Sequence, residues 1–192
     1  PREHPRAHRA DGIGRRGAMS TLHPALGPDD HVQGRLDAPL QLVEYGDYQC
    51  PYCADAVAQV ARLQQALGDA LCFAFRNFPL SQAHPLAERA AELAEAAAGE
   101  GLFWPMHDWL YRNQDALDGD ASLVAGAQQV GLSRAAIEAA FSGAFAARVR
   151  ADFLSGVRSG VNGTPCFFIN GQRYDGPFDA AQLYPLLRQL PG

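Results

Sequence analysis

The stretch EYGDYQCPYC, residues 44–53, places two residues between Cys50 and Cys53. The apolar run around its start, residues 38–47, is rich in strand-forming side chains and predicts a buried strand. The residues after it have apolar side chains at helical spacing, and Pro51 suits a first helical turn, where its missing N–H costs nothing. The sequence therefore predicts a strand, the cysteine pair and a helix in that order, with Cys50 at the helix N-terminus.

The cysteine pair could bind a metal ion, form a structural disulfide or catalyse thiol–disulfide exchange. Unpaired N–H groups and the positive end of the helix dipole lower the pKa of a thiol at a helix N-terminus. Cys50 is therefore the expected nucleophile, and Cys53, one turn further along, is expected to resolve the mixed disulfide. A structural zinc ion needs four ligands, usually in two pairs, whereas Cys72 and Cys166 stand alone in the sequence. The sequence therefore favours thiol–disulfide exchange. A metal site stays open as an alternative, because the four cysteines are enough to supply four thiolate ligands.

The rest of the chain shows a pattern typical of an α/β fold. Residues 70–80 form a second apolar run that predicts a buried strand, and residues 84–160 are almost wholly helical in pattern. Asn170 and Gly171 then separate two extended runs, which is a strong signal for a two-residue hairpin. The closing stretch predicts a helix that begins near Asp179. The predicted order is βαβ, a helical block, and a hairpin followed by a helix.

Composition and charge exclude some classes of protein. The formal net charge of -5 argues against nucleic acid as a main partner, and the sequence lacks the run of 18 apolar residues that would predict membrane insertion. Residues 1–18 hold five arginines and few large apolar side chains, so we interpret them as a disordered leader or a vector-derived segment, and residues 19–192 as one folded domain. Because no signal peptide is visible, we expect a cytoplasmic protein, or a periplasmic or exported one if residues 1–18 replaced a native signal.

A second candidate element of the site is the Thr164–Pro165 step in GVNGTPCFFING, residues 160–171. An X–Pro bond just before a core strand is a candidate for a cis peptide, although cis is the minority form even before proline. A cis-proline loop beside the cysteine pair would present backbone to a substrate and restrict the access of metal ions.

Four motifs, EYGDYQCPYC, FRNFPL, FWPMHDWLYRNQ and GTPCFFING, follow one another in an order that resembles the DsbA family of thioredoxin-fold oxidoreductases. The resemblance runs from about Asp30 to the C-terminus. More narrowly, the chain resembles a bacterial branch of that family. It implies a thioredoxin fold with an α-helical insertion between its βαβ and ββα halves. It also implies a nucleophilic Cys50, a resolving Cys53, and a substrate-binding cis-Pro165 preceded by Thr164.

The resemblance also matches Glu44 to an acidic residue of the family, which lies on the strand under the active site. Glu44 is an ionisable side chain in an otherwise apolar strand. If it is buried, its pKa rises, and it could accept or supply the proton as Cys53 cycles. The alternative is a glutamate at a solvated strand end, or one that is paired with an arginine. We expect the proton-relay role.

The dipeptide of Pro51 and Tyr52, between the cysteines, is expected to contact substrate and to set the reduction potential. Strongly oxidising relatives carry a histidine where this chain has Tyr52, which offers no positive charge to a thiolate. The same dipeptide is usual in glutaredoxins. We therefore expect a reduction potential below the DsbA value of about −120 mV, nearer the glutaredoxin range of about −200 to −230 mV.

Two further cysteines, Cys72 and Cys166, lie in predicted core strands, where a free cysteine usually acts as a small apolar side chain. In a thioredoxin-like sheet the first strand lies between these two strands, so a Cys72–Cys166 disulfide is not expected. Cys166 is nearer the predicted site and is the better candidate for a secondary redox role.

The stretch FWPMHDWL, residues 103–110, repeats large apolar side chains at helical spacing. Such a pattern is more typical of a core-facing helix than of a substrate surface, so we expect core packing. His84 and His107 are expected to be structural, although His107 could stabilise a thiolate if the helical block placed it over Cys50.

These observations favour a thiol–disulfide oxidoreductase that acts on protein or small-molecule thiols, with glutathione or a thioredoxin-type protein as a candidate reductant. The chemistry requires no metal ion and no organic cofactor. A glutathione-linked transferase or isomerase of the kappa type is the first alternative, but those relatives do not rely on a CxxC pair. Two further candidates are a zinc- or iron–sulfur-binding thioredoxin-like module and a chaperone-like binder that uses the same groove.

Overall fold

A five-stranded sheet forms the centre of the fold. The computed structural model describes residues 20–190, and the predicted leader, residues 1–18, lies outside them. The strands are β1 (His31–Gln33), β2 (Leu40–Gly46), β3 (Leu71–Asn77), β4 (Cys166–Ile169) and β5 (Gln172–Tyr174). They lie in the order β1-β3-β2-β4-β5, in which β2 and β3 are parallel and the other neighbouring strands are antiparallel.

The helices flank this sheet and fill the chain between its two halves. They are α1 (Pro51–Leu67), α2 (Ala87–Ala98), α3 (Phe103–Arg112), α4 (Asp120–Val130), α5 (Arg134–Phe141), α6 (Ala146–Arg158) and α7 (Ala180–Leu187). Helix α1 connects β2 to the parallel strand β3, which completes the predicted βαβ unit. Helices α2 to α6 lie between β3 and β4 in the chain, so the predicted helical insertion is confirmed. Among residues 20–190, no helix combines the length and the apolar character that a membrane span requires.

Two clusters of buried side chains cover the two faces of the sheet. Side chains alternate along a strand, so Leu42 and Glu44 of β2 face one side, and Val43 and Tyr45 face the other. The first side carries the larger cluster, in which β2 and β3 pack against α1, α7 and the insertion. The second side carries a smaller cluster that includes Phe153 of α6. Glu44 is therefore directed into the main core.

The hairpin between β4 and β5 turns at the predicted pair, Asn170 and Gly171. Both residues adopt the left-handed conformation, with φ of 46° and 79°, which asparagine and glycine tolerate best. The Asn170 side-chain oxygen also accepts a hydrogen bond from the backbone N–H of Gln41 at 2.8 Å. The turn is thereby tied to the first residues of β2.

Strand β1 is an element that the sequence does not predict, because three residues are too few to show a strand pattern. It adds to the sheet beside β3, with Val32 opposite Ala74. The indole N–H of Trp104, on α3, donates to the Val32 carbonyl at 3.1 Å. The insertion therefore helps to hold this strand at the edge of the sheet.

Candidate active site

Cys50 is the N-cap residue of α1. Its backbone is extended, with φ of -76° and ψ of 119°, and the helix begins at Pro51 as the sequence predicts. The Cys50 carbonyl accepts hydrogen bonds from the N–H groups of Cys53 and Ala54 at 3.1 and 3.2 Å, which closes the first turn. The Cys50 sulfur therefore lies beside the free N–H groups at the positive end of the helix.

The two thiols of the pair have opposite electrostatic environments. A hydrogen bond from the Cys53 thiol lowers the pKa of Cys50 to about 5 against the effect of burial, and Thr164 and nearby backbone N–H groups contribute to the lowering. Burial raises the pKa of Cys53 far above its usual range, and the hydrogen bond to Cys50 and the charge of Glu44 raise it further. At neutral pH, Cys50 is therefore a thiolate while Cys53 remains a thiol.

The peptide bond between Thr164 and Pro165 is cis, as the sequence predicts. When Cys50 is protonated, its thiol donates to the Thr164 carbonyl at 3.4 Å, so this loop lies directly beside the Cys50 sulfur. The Thr164 hydroxyl oxygen is buried and has no hydrogen-bond partner among residues 20–190. Its proton is therefore free to be donated to the sulfur once Cys50 is ionised.

A groove of about 460 Å³ runs along this cis-proline loop. Tyr52, Thr164 and Pro165 line the groove, whereas Pro51 is exposed at the start of α1 and does not. The other walls come from α1, β4, β5 and the residues that follow β5. Tyr52 exposes 72% of its surface and Cys50 only 3%. Cys50 is not itself a lining residue, and its thiol adjoins the groove through its contact with Thr164.

Glu44 lies on β2 under the pair and exposes 2% of its surface. Burial raises the pKa of its carboxyl to about 8, and the negative charge of Cys50 adds to the increase. Its Oε1 atom has no hydrogen-bond partner, and Glu44 forms no ion pair within residues 20–190. Glu44 also lines a cavity of about 290 Å³ between α1 and α3. Glu44 is therefore a buried acid. The two alternatives, a glutamate at a solvated strand end and a glutamate paired with an arginine, are wrong.

Asp47 fixes the turn that precedes Cys50. Its side chain is buried; Oδ1 accepts from the backbone N–H of Gln49 at 2.7 Å, and Oδ2 from that of Leu80 at 2.8 Å. His84 Nδ1 lies 2.8 Å from the same Oδ2, which gives His84 the structural role that we expected. Sequence reasoning missed Asp47, although its place between a buried strand and the cysteine pair was a usable signal.

Helix α3 packs its aromatic face into the core, as expected, and Phe103, Met106 and Leu110 are buried. His107 Nδ1 lies 3.1 Å from the hydroxyl of Tyr48. Burial lowers the pKa of His107 to about 3, and His31 adds to the lowering, so the ring is neutral at physiological pH. His107 therefore brings no positive charge to a thiolate. Its role is structural.

The remaining two cysteines, Cys72 and Cys166, lie on β3 and β4, and β2 separates them as expected. Both are buried free thiols, and burial raises the pKa of each. Cys166 lines the groove, which keeps it the nearer of the two to the site. In the part of the chain that the structure describes, no three His, Cys, Asp or Glu side chains converge as metal ligands. The geometry thus gives no support to a four-thiol metal site.

A family model described as Thioredoxin matches residues 27–189. Among solved structures, a thioredoxin-like oxidoreductase from Silicibacter pomeroyi is similar with a TM-score of 0.72 and 24% identity, over 85% of this chain and 92% of that one. The alpha-DsbA1 of Wolbachia pipientis is similar with a TM-score of 0.74 and 17% identity, over 86% and 92% of the two chains. The predicted thioredoxin fold with a DsbA-type helical insertion is confirmed.

A curated relative is the Na(+)/H(+) antiporter NhaA 1 of Mycolicibacterium vanbaalenii, which is 40% identical over 167 residues. The match covers 86% of this chain but 27% of the antiporter. The chain therefore spans about a quarter of the length of the curated relatives it matches. The antiporter name describes that longer protein.

Replacing Glu44 by glutamine is expected to stabilise the protein increasingly as the pH rises towards 8. Folded Glu44 keeps its proton up to a pH of about 8, whereas an unfolded glutamate ionises near 4.5. Between these two pH values the unfolded state has lost the Glu44 proton and the folded state still holds it. The free energy of unfolding of the wild type therefore falls as the pH rises above 4.5, by roughly 4 kcal/mol at pH 8. Chemical denaturation of both reduced proteins at each pH measures the difference in the free energy of unfolding.

Glu92→Gln is the matched control for this experiment. Glu92 is also buried, and its pKa is also raised by burial. Its Oε2 has no hydrogen-bond partner in the described part of the chain, but Glu92 lies on α2. We expect a smaller pH dependence for this variant. If the Glu44→Gln difference did not change with pH, Glu44 would not hold a proton in the folded protein.

Proposed function

Because the chain belongs to the thioredoxin family, whose model it matches over residues 27–189, we propose that it is a thiol–disulfide oxidoreductase of the DsbA type. One observation carries the proposal: Cys50 is the N-cap residue of α1, one helical turn from Cys53 and beside the cis Thr164–Pro165 loop. In this position the pKa of Cys50 is lowered to about 5, while that of Cys53 is raised. A thiolate beside a protonated partner thiol is the arrangement that disulfide exchange requires.

In the reducing direction, the Cys50 thiolate attacks one sulfur of a substrate disulfide. A bond forms between Cys50 and that sulfur, the substrate S–S bond breaks, and the other substrate sulfur leaves as a thiolate. Cys53 then loses its proton and attacks the Cys50 sulfur, which releases the second substrate thiolate and leaves the Cys50–Cys53 disulfide. The oxidising direction runs the same steps backwards, so that a substrate dithiol is oxidised and the pair is reduced.

Glu44 is the proposed proton acceptor for Cys53. While Cys50 is a thiolate, its charge helps to keep Glu44 protonated. In the mixed disulfide this charge is gone, so the pKa of Glu44 falls and the carboxylate becomes more populated as Cys53 has to give up its proton. The cavity between α1 and α3 offers room for water, through which Glu44 can exchange protons with solvent.

The groove along Thr164 and Pro165 is the proposed substrate-binding surface. A cis-proline loop presents its backbone to an extended peptide, and the exposed ring of Tyr52 offers a broad apolar contact. The Thr164 hydroxyl, which has no partner among the described residues, can donate to the reacting sulfur. These features suit a thiol- or disulfide-containing protein segment, and glutathione or a thioredoxin-type protein can exchange electrons with the pair through the same sulfur.

The proposed function predicts a reversible Cys50–Cys53 disulfide with a reduction potential of about −200 to −230 mV, below the DsbA value of about −120 mV. Tyr52 brings no positive charge to the Cys50 thiolate, so the reduced form is stabilised less than in DsbA, whose nucleophile has a pKa of about 3.5. Equilibration in glutathione buffers, followed by mass mapping of the cysteines, measures this potential.

Cys72→Ser is the matched control, because Cys72 is a buried thiol on β3 that lies outside the pair and does not line the groove, and it should keep the wild-type potential. A potential as high as that of DsbA would contradict the role given to Tyr52. A pair that forms no reversible disulfide would contradict the proposed function. The measured reduction potential also indicates the cellular compartment. A potential near that of cytosolic glutathione favours a cytoplasmic reductase or isomerase. A strongly oxidising potential favours a periplasmic or exported disulfide donor.

Glu44→Gln is expected to slow the resolution of the mixed disulfide by about 10- to 100-fold at neutral pH, because an amide cannot accept the Cys53 proton. Stopped-flow reaction of the reduced protein with a symmetric aromatic disulfide separates the two steps: the first coloured thiolate reports attack by Cys50, and the second reports release by Cys53. Glu92→Gln should leave both steps unchanged. Equal rates of the second step in Glu44→Gln and wild type would remove Glu44 from the proton path.

A further inference from the structure

Three polar side chains on one helical face reach the turn that carries Cys50. His107, Tyr111 and Gln114 are spaced by four and three residues, so they lie along one side of α3 and of the short 3₁₀ turn that follows it. His107 Nδ1 contacts the Tyr48 hydroxyl at 3.1 Å, and the Tyr111 hydroxyl donates to the Asp47 carbonyl at 3.3 Å. This face of the insertion therefore packs its polar groups against the turn before the nucleophile.

Gln114 makes the contact nearest to the nucleophile. Its Nε2 atom donates to the carbonyl oxygens of Tyr48 and Cys50, at 2.8 and 3.0 Å. One amide group thus links the Cys50 carbonyl to the Tyr48 carbonyl in the turn before it. Gln114 is partly buried and belongs to the helical insertion, whereas both carbonyls belong to the βαβ half of the fold. Gln114 is the last residue of the motif FWPMHDWLYRNQ, but sequence reasoning gave it no role.

The Cys50 carbonyl is an electrostatic neighbour of the Cys50 sulfur. Its oxygen carries partial negative charge, which opposes a thiolate on the same residue. The N–H groups of Cys53 and Ala54 already donate to this oxygen, and Gln114 adds a third donor from outside the helix. The third donor offsets part of the negative charge and fixes the orientation of the peptide unit that leads into Pro51.

We propose that Gln114 is a positioning residue for disulfide exchange: its amide group holds the peptide between Cys50 and Pro51 so that the Cys50 sulfur stays reactive at the helix N-terminus. The inference rests on the proposed function and deepens it, because it names a group outside the CxxC motif that controls the nucleophile. It also gives the helical insertion a chemical role, since a side chain of the insertion reaches the reacting residue.

Two substitutions of opposite chemistry test this role in the full chain. Gln114→Leu is similar in size but has no donor, so it should raise the pKa of Cys50 by about one unit, which leaves about tenfold less thiolate below that pKa. Gln114→Lys keeps a donor and adds a positive charge, so it should lower the pKa of Cys50 below that of the wild type. Thiolate absorbance at 240 nm against pH measures each pKa. The glutathione equilibrium of the leucine variant should shift towards the disulfide by a similar factor.

Gln128→Leu is the matched control, because Gln128 is an exposed glutamine of the same insertion, on α4. It should keep the wild-type pKa of Cys50. Thermal unfolding of all the variants separates a loss of stability from a change in the nucleophile.

If the role of Gln114 is only structural, its substitution lowers the unfolding temperature and leaves the pKa of Cys50 unchanged. That result overturns the proposal. A shift in the same direction for the leucine and lysine variants also overturns it. If the leucine variant does not fold, the lysine variant still tests the proposal. An unchanged or raised pKa of Cys50 in the lysine variant contradicts it. If the wild-type pair exchanges reversibly with glutathione, a negative result counts against Gln114 alone; a wild-type pair that does not exchange counts against the proposed function.

Discussion

The placement of Cys50 at the N-cap of α1, with Cys53 one turn further along, is the constraint on which the rest of the site depends. The interaction of the two thiols is the largest contribution to the lowered pKa of Cys50, and it adds to the raised pKa of Cys53. The two side chains can meet because residues three apart on a helix face the same side. Cys50 also meets the free N–H groups of the helix end, while Cys53 is enclosed by the core. One helical turn therefore favours a thiolate at Cys50 and keeps Cys53 protonated.

The surrounding fold holds this turn from several sides, and each contact comes from a different part of the chain. Asp47 ties it to the loop after β3, Thr164 contacts it from the cis-proline loop, and Gln114 reaches it from the helical insertion. A single hydrogen bond contributes only about 1 kcal/mol net, so it is their combination that fixes the position of the sulfur. Under the turn, the pleat of β2 directs Glu44 into the core, where its carboxyl is desolvated and keeps its proton. The insertion and the sheet thus act on the same two sulfur atoms.

Sequence patterns predicted the features whose signal is local. The start of α1 at Pro51 and the turn at Asn170 follow from the backbone preferences of a few adjacent residues. The sequence left the burial of Glu44 open, and only the packing of α1 and α3 over β2 decided it. The local contact of Asp47 with Gln49 was within reach of sequence reasoning, but the long-range contacts of the turn were not, because they join distant segments. Asp47 bonds to a residue 33 positions away and Gln114 to one 64 positions away. Gln114 closes the motif FWPMHDWLYRNQ, but the motif does not show which way its side chain points. A polar residue near a helix end usually faces solvent, as Gln128 does.

Trapping of the mixed disulfide tests the central claim most directly. With Cys53→Ala, the attack by Cys50 can occur but its resolution cannot, so a reaction with glutathione disulfide must stop at the mixed disulfide. Mass mapping of the product then locates the attached glutathione. The account predicts one glutathione per chain, bound to Cys50. Glutathione on Cys72 or Cys166 instead, or no attachment at all, would contradict it.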